Sequence, residues 1–368
     1  MTAPEVLPRL RRAWPVAVPV LAAVLLALTW GRHPGAVVVG VVALVLAGAV
    51  LAAVQHAEVI AHRLGEPFGS LVLAVAVTVI EVALIVTLMV SGGDKTESLA
   101  RDTVFAAVMI TSNGIVGLAL LAGARRYGVA HFNSEGTGAA LATVVSIATL
   151  SLVLPTFTSS AQGPEFSGPQ LAFAAVASLL LYGLFVLTQT VRHRDFFLPV
   201  TPTGEVAPED VHAMPPTARQ AWTSLALLLV ALVAVVGLAK VESPSIEAAV
   251  KAVGFPPSFV GVVIALLVLL PETLAAFRAA TRDRLQISLK LAYGSAMASI
   301  GLTIPAIALA SVWLDGPLLL GLGPVQIALL ALTVVVSILT VVPGRATRLQ
   351  GAVHLTLFAA FVFLSTNP

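Results

Sequence analysis

Val77-Thr78-Val79-Ile80-Glu81-Val82-Ala83-Leu84 sets one carboxylate inside an otherwise apolar run, and Val268-Leu269-Leu270-Pro271-Glu272-Thr273-Leu274-Ala275 does so again. Each run follows a Gly/Pro-rich entry, Gly65-Glu66-Pro67-Phe68-Gly69 before the first and Gly254-Phe255-Pro256-Pro257-Ser258 before the second. Gly69 precedes Glu81 by twelve residues, and Gly261 precedes Glu272 by eleven. The chain thus carries one element twice, with an acid as its shared polar point. A charge at the centre of a bilayer costs about 2.5–3.5 kcal/mol on insertion scales, so two such residues call for a function or a partner.

The surrounding composition makes the bilayer the relevant solvent. Of 368 residues, 58% are hydrophobic and only 10% charged, against roughly 25% charged in a soluble domain. The mean hydropathy is +1.00. There is no cysteine, which excludes disulfides, thiolate metal sites, iron–sulfur clusters and cysteine nucleophiles together. Apolar stretches of spanning length, roughly 17–25 residues, fall at about 14–31, 35–55, 68–91, 103–123, 137–158, 169–191, 220–239, 256–277, 286–311, 317–342 and 347–365. The expected fold is an all-α integral membrane protein of about eleven transmembrane helices. The first stretch follows Arg9, Arg11 and Arg12 as a signal peptide would, but it is long and lacks a small-residue cleavage pattern, so it reads as a retained helix.

Loop charges give an independent orientation. With the N-terminus on one side, fifteen Lys and Arg residues fall on that side and five on the other. The positive-inside rule then places the N-terminus in the cytoplasm and the C-terminus outside, in a bacterial-type cytoplasmic membrane. The pI near 9.2 is explained by topology, and nucleic acid is dropped as a partner. The one long polar interruption, 192–219, reads as a cytoplasmic linker containing Glu205, Glu209 and Asp210. It leaves an extra N-terminal helix (1–34) and two five-helix halves, 35–191 and 220–368. Five crossings are an odd number, so a duplicated half must enter from the opposite face; this is the arithmetic of an inverted repeat.

Glu81 and Glu272 are expected to be the only acids within spans. Lys290, the nearest basic residue, lies at the cytoplasmic start of its helix. Two facing carboxylates are stabilised by a cation or by protons. A hard divalent ion such as calcium prefers carboxylate, carbonyl and water oxygens, while desolvation and mutual repulsion favour protonation of an empty pair. Competition between cation and proton for the same oxygens is the minimal chemistry of an exchanger. The bland alternative is two neutral glutamic acids bonding between helices. The next helix in each half carries further oxygens: Thr111-Ser112-Asn113-Gly114 in the first, Gly294-Ser295 through Ser299-Ile300-Gly301 in the second. Ser112, Asn113, Ser295 and Ser299 are candidate metal ligands, with ordinary helix–helix contact as the alternative. Asn113 is the strongest, because an amide is costlier to bury unpartnered than a hydroxyl. Pro271 is expected either to free the Leu267 carbonyl or simply to kink its helix.

At these residues the sequence resembles the calcium/cation antiporter superfamily, and within it the bacterial calcium/proton antiporters of the ChaA type in the cation/proton exchanger branch. The resemblance rests on 65–73 leading into 77–85, on 101–110 through Asn113-Gly114, on Leu269-Leu270-Pro271-Glu272, and on Gly294-Ser295-Ala296 through Ile304-Pro305. It implies a secondary antiporter, not an enzyme, with no cofactor and with calcium and protons as cargo. It implies that Glu81 and Glu272 bind both and that hydroxyl and amide groups in the following helices assist. The chain departs from many relatives in having Ile80 and Pro271 beside the glutamates and a thinly acidic linker. Sodium or potassium against protons is the rival cargo, and a passive cation channel the rival class. No Walker motif supports ATP-driven transport.

The histidines are mostly expected in loops or at helix ends. His56 and His62 flank Glu58 and are candidate pH sensors, while His354, inside the last span, is expected to bond locally. Arg278, Arg282 and Arg284 fit the positive-inside rule, with anionic lipid of the bilayer a secondary partner. The oligomeric state is not legible.

Overall fold

The computed structural model describes residues 3–32, 35–65, 68–92, 97–198, 215–313 and 316–367. His33, Glu66, Pro67, Glu205, Glu209, Asp210 and His212 lie outside the described residues. The chain runs through α1 (Ala3–Thr29), α2 (Ala36–Leu64), α3 (Phe68–Gly92), α4 (Leu99–Met109), α5 (Val116–Tyr127), α6 (Ser134–Ala148) and α7 (Gly168–Leu187). It continues with α8 (Ala218–Ala252), α9 (Phe259–Val268), α10 (Leu270–Thr281), α11 (Leu285–Ala310), α12 (Pro324–Val341) and α13 (Arg348–Thr366). A π-helical turn, Ile110–Ile115, joins α4 to α5, so Leu99–Arg125 forms one span.

Among the described residues nine helices are long and apolar enough to cross a membrane, and a tenth span arises if the bent pair α9 and α10 counts as one. The apolar part of α1, Ala13–Thr29, is shorter, so the structure stops at ten and an eleventh crossing is not shown. Rows of apolar side chains remain uncovered, including Leu180, Leu184 and Leu187 on α7 and Val335 and Leu339 on α12. Apolar surface on this scale suits lipid. The protein is an all-α membrane protein.

Helix ends depart from the sequence expectation in an informative way. α8 runs to Ala252 rather than 239, α2 to Leu64 rather than 55, and the α4 span begins at Leu99 rather than 103. Glu58, Asp102, Glu242 and Glu247 therefore lie on helices, and Glu81 and Glu272 are not the only acids on the spanning elements. Hydropathy reports where lipid ends, whereas a helix continues as long as its backbone bonds can be made. At about 1.5 Å per residue, a helix the length of α8 exceeds a 30 Å hydrocarbon core.

Contacts divide the chain into two compact units, Met1–Ser91 with Ala213–Val253, and Gly92–His212 with Gly254–Pro368. In the first, α1, α2 and α8 pack on one another. Gly237 admits Leu26, whose Cδ2 would lie 2.5 Å from a Cβ at that position. Lys240 sets its ammonium 5.4 Å from the centre of the Trp30 ring, a cation–π contact. His56 is buried inside α2, not at a helix end, and its Nε2 lies 2.9 Å from the Pro15 carbonyl of α1. His62 is exposed.

In the second unit α11 packs on α6, α7 and α10, α13 packs on α5 and the π-helical turn, and α4 packs on α9. Leu99–Arg125 is almost wholly enclosed by its neighbours. Two three-residue strands that hydropathy did not anticipate, β1 (Val129–His131) and β2 (Arg345–Thr347), pair antiparallel with Ala130 opposite Ala346. Each leads into a capped helix. Asn133 accepts from the Glu135 and Gly136 amides at the start of α6, and Thr347 forms a reciprocal box with Gln350 at the start of α13.

Candidate cation and proton site

Glu81 stands midway along α3 and is 3% exposed. Ile80, Leu84 and Ile85 around it are buried. Thr78, three residues earlier and so on the same helix face, is also buried, and its hydroxyl makes no hydrogen bond. A second oxygen therefore accompanies the carboxylate one turn away. α3 begins against the end of α2: a Cβ on Gly69 would lie 2.5 Å from the Ala61 carbonyl oxygen, so only glycine permits this approach.

Glu272 has a different local setting. Its span breaks at Leu269, and α9 and α10 meet at a 54° bend. Pro271 causes the break, because it has no N–H for the Leu267 carbonyl and its ring crowds that oxygen. The Leu269 N–H that closes α9 donates to the Ala265 carbonyl at 2.9 Å. α10 then starts afresh, with the Thr273 amide and hydroxyl both donating to the Leu269 carbonyl at 2.9 and 2.7 Å. Glu272 falls in this first turn, where the open amides and dipole of a helix N-terminus favour negative charge. α9 is anchored as α3 is, through glycine: a Cβ on Gly261 would lie 2.9 Å from the Thr103 amide nitrogen of α4.

The amide and hydroxyl candidates sit in the second unit with Glu272. Ser112 and Asn113 occupy the π-helical turn and are 2% and 0% exposed. One-turn π segments recur at functional sites, because the extra residue re-aims side chains. Thr111 in the same turn is bonded to its own helix, at 2.7 Å from the Ala107 carbonyl and 3.0 Å from that of Val108. On α11, Ser295, Ser299 and Thr303 repeat every fourth residue and share a stripe; Ser299 and Thr303 are buried. The Thr303 hydroxyl makes no hydrogen bond. α11 is tied to α10 by Ser288, whose hydroxyl donates to the Ala276 carbonyl at 2.6 Å.

Asn113 is engaged well beyond its own helix. Its Nδ2 donates to the Thr333 hydroxyl of α12 at 2.9 Å, and its Oδ1 lies 3.1 Å from Nδ1 of His354 in α13. His354 is fully buried and reaches Thr340 through Nε2 at 3.2 Å. The expectation of local bonding for His354 is thus corrected: its partner is 241 residues away. The reason is the packing of α13 on the π-helical turn, which no local pattern encodes. Thr333, Ser337 and Thr340 form a buried stripe on α12, and their spacing of four and three residues was the signal available in the sequence. Thr78, Thr303 and the buried Glu242 were likewise missed.

Comparison with known proteins identifies the family. The family model "Sodium/calcium exchanger protein" matches in two segments, residues 34–191 and 223–367. The Sinorhizobium fredii protein y4hA, described as an ionic transporter, is 47% identical over 88% of this chain and 87% of its own length. The sodium-potassium/proton antiporter ChaA of Escherichia coli is 34% identical over 94% of this chain and 93% of its own. Among solved structures, native YfkE has the same fold, with a TM-score of 0.71 at 16% identity over 96% of this chain and 99% of that one. The chain belongs to the sodium/calcium exchanger family as a multi-pass cation antiporter of the ChaA type, a secondary transporter and not an enzyme.

Proposed function

We propose that this protein exchanges cytoplasmic calcium for protons by alternating access, with Glu81 and Glu272 as paired acids that bind cation or protons in competition. The observation that carries this reading is the setting of the two glutamates. One is buried midway along α3, and the other lies in the first turn of a half-helix created by a proline break. Broken spans with functional groups at half-helix ends are a recurring transporter device. Ser112, Asn113, Ser295 and Ser299 supply neutral oxygens of the kind a hard cation takes in addition to carboxylates. Protonation of the pair removes its charge and releases the cation, so one site couples the two fluxes.

The reading includes two inverted five-helix halves, 35–191 and 220–368, joined by the 192–219 segment and preceded by the helix of residues 1–34. The two-segment match of the family model supports it. The N-terminus is assigned to the cytoplasm from the fifteen-to-five distribution of Lys and Arg. A second reading, sodium or potassium against protons, draws on the resemblance to ChaA.

Everted membrane vesicles test the function. Added calcium is expected to dissipate an imposed pH gradient, and E81Q or E272Q to abolish that response. Retained exchange in either variant defeats the paired-acid mechanism. Dissipation by sodium or potassium but not by calcium selects the second reading.

A further inference from the structure

We propose that His354 is a positioning residue for exchange: it fixes the amide of Asn113 with Oδ1 available to a cation, and so sets cation affinity. This rests on the reading of Asn113 as a ligand-side group. The side chains concerned come from three places far apart in sequence, the π-helical turn, α12 and α13, and all are buried.

With Nδ2 of Asn113 on the Thr333 hydroxyl, the hydrogens in this chain of bonds run one way. Thr333 donates its hydroxyl hydrogen towards the Met109 sulfur at 3.7 Å, so its oxygen is an acceptor. Asn113 Nδ2 donates to that oxygen at 2.9 Å. This puts Oδ1 at the other end of the amide, facing His354 Nδ1 at 3.1 Å. An acceptor facing a ring nitrogen requires that nitrogen to carry hydrogen. His354 is therefore the Nδ1–H tautomer when neutral, and its Nε2 takes a hydrogen from the Thr340 hydroxyl at 3.2 Å. Thr340 can rotate its hydroxyl from the Val336 carbonyl, which it otherwise meets at 2.8 Å, to make that bond.

The consequence lies in the second lone pair of Oδ1. A carbonyl oxygen has two; His354 uses one, and the other remains for a cation. With the opposite tautomer, two acceptors would face each other at Nδ1. The amide would then turn over and place its NH₂ group towards the ring, exchanging oxygen and nitrogen positions. A cation that meets an NH₂ group finds no lone pair. His354 thus acts on affinity through Asn113, without touching the cation itself.

The test uses everted vesicles carrying the full chain, with calcium chloride as the probe, and reads half-saturating calcium separately from maximal rate. H354F removes both ring nitrogens and is expected to raise half-saturating calcium at least tenfold, with maximal rate kept within twofold. H354N places an amide nitrogen where Nδ1 sits and is expected to restore most of the affinity, whereas H354Q, which reaches the Nε2 position, does not. Thr333→Val, close to isosteric, releases the same amide at its other end and is expected to raise half-saturating calcium too, which keeps the test decisive should H354F fail to fold. An unchanged half-saturation in H354F or in the Thr333 variant overturns the proposal. Equal rescue by H354N and H354Q also overturns it, because space-filling alone would then explain the residue. Wild-type vesicles with no calcium-driven proton release overturn the calcium reading and this inference together. Release in wild type with no effect of His354 substitution overturns the inference alone.

Discussion

Gly261 of α9 lies so close to Thr103 of α4 that a Cβ on the glycine would be 2.9 Å from the Thr103 amide nitrogen. That distance is inside van der Waals contact with backbone that has no side-chain rotation to relieve it. Gly261→Ala is expected to destabilise the protein by about 1–3 kcal/mol, the usual range for overpacking, read as a lower thermal midpoint in detergent. Gly294→Ala on α11 is the control. Nothing lies within 4 Å of a Cβ there, and removing a mid-helix glycine is expected to raise stability by about 0.5–1 kcal/mol.

Two threonines separate a hydroxyl that is available from one that is committed. The Thr78 hydroxyl is buried beside Glu81 without a hydrogen bond, whereas that of Thr111 is bonded to two carbonyls of its own helix. Thr78→Val is expected to raise half-saturating cation roughly tenfold, about 1.4 kcal/mol, in vesicle exchange. Thr111→Val is expected to leave it within twofold. The reverse order would show that Thr78 serves packing only.

His56 joins α2 to α1 through the Pro15 carbonyl at 2.9 Å. Its replacement by Leu removes that bond inside a buried contact and leaves the carbonyl unpaired, at a cost of about 1–3 kcal/mol. His56→Gln, which keeps a donor, is expected to recover at least half of the loss. Thermal unfolding of the purified variants measures both.

The absence of native cysteine makes topology directly testable. Single cysteines at Ser159, in the exposed loop after α6, and at Thr281, at the exposed end of α10, report opposite faces under the proposed orientation. An impermeant maleimide is expected to label Ser159→Cys in intact cells and Thr281→Cys only after lysis. Labelling in the reverse pattern would invert the assignment and with it the direction of transport.

Much of the candidate site was legible because it is written locally. An acid inside an apolar run is visible without any fold, as are the glycines that precede it. The proline at 271 announced a disturbed helix, and the structure resolves it as a full break with a new N-terminus under Glu272. The ends of α2 and α8 were misjudged because charged residues such as Glu58 and Glu242 lower hydropathy without stopping a helix. β1 and β2 went unseen because three residues each are too few for an alternating pattern.

His354 marks the boundary between the two kinds of information. In sequence it is one polar residue among Ala352, Val353 and Leu355, with nothing nearby to explain it. Its meaning depends on which face of α13 meets the π-helical turn, and that rotation is set by side chains packing from several helices at once. The sequence by itself determined the solvent, the identity of most spans and the place of Glu81 and Glu272 within apolar runs, since transfer cost and residue spacing are local properties. Only the tertiary structure decided that Asn113 answers to His354 and Thr333, because a hydrogen bond spanning 241 residues exists only once the helices are packed.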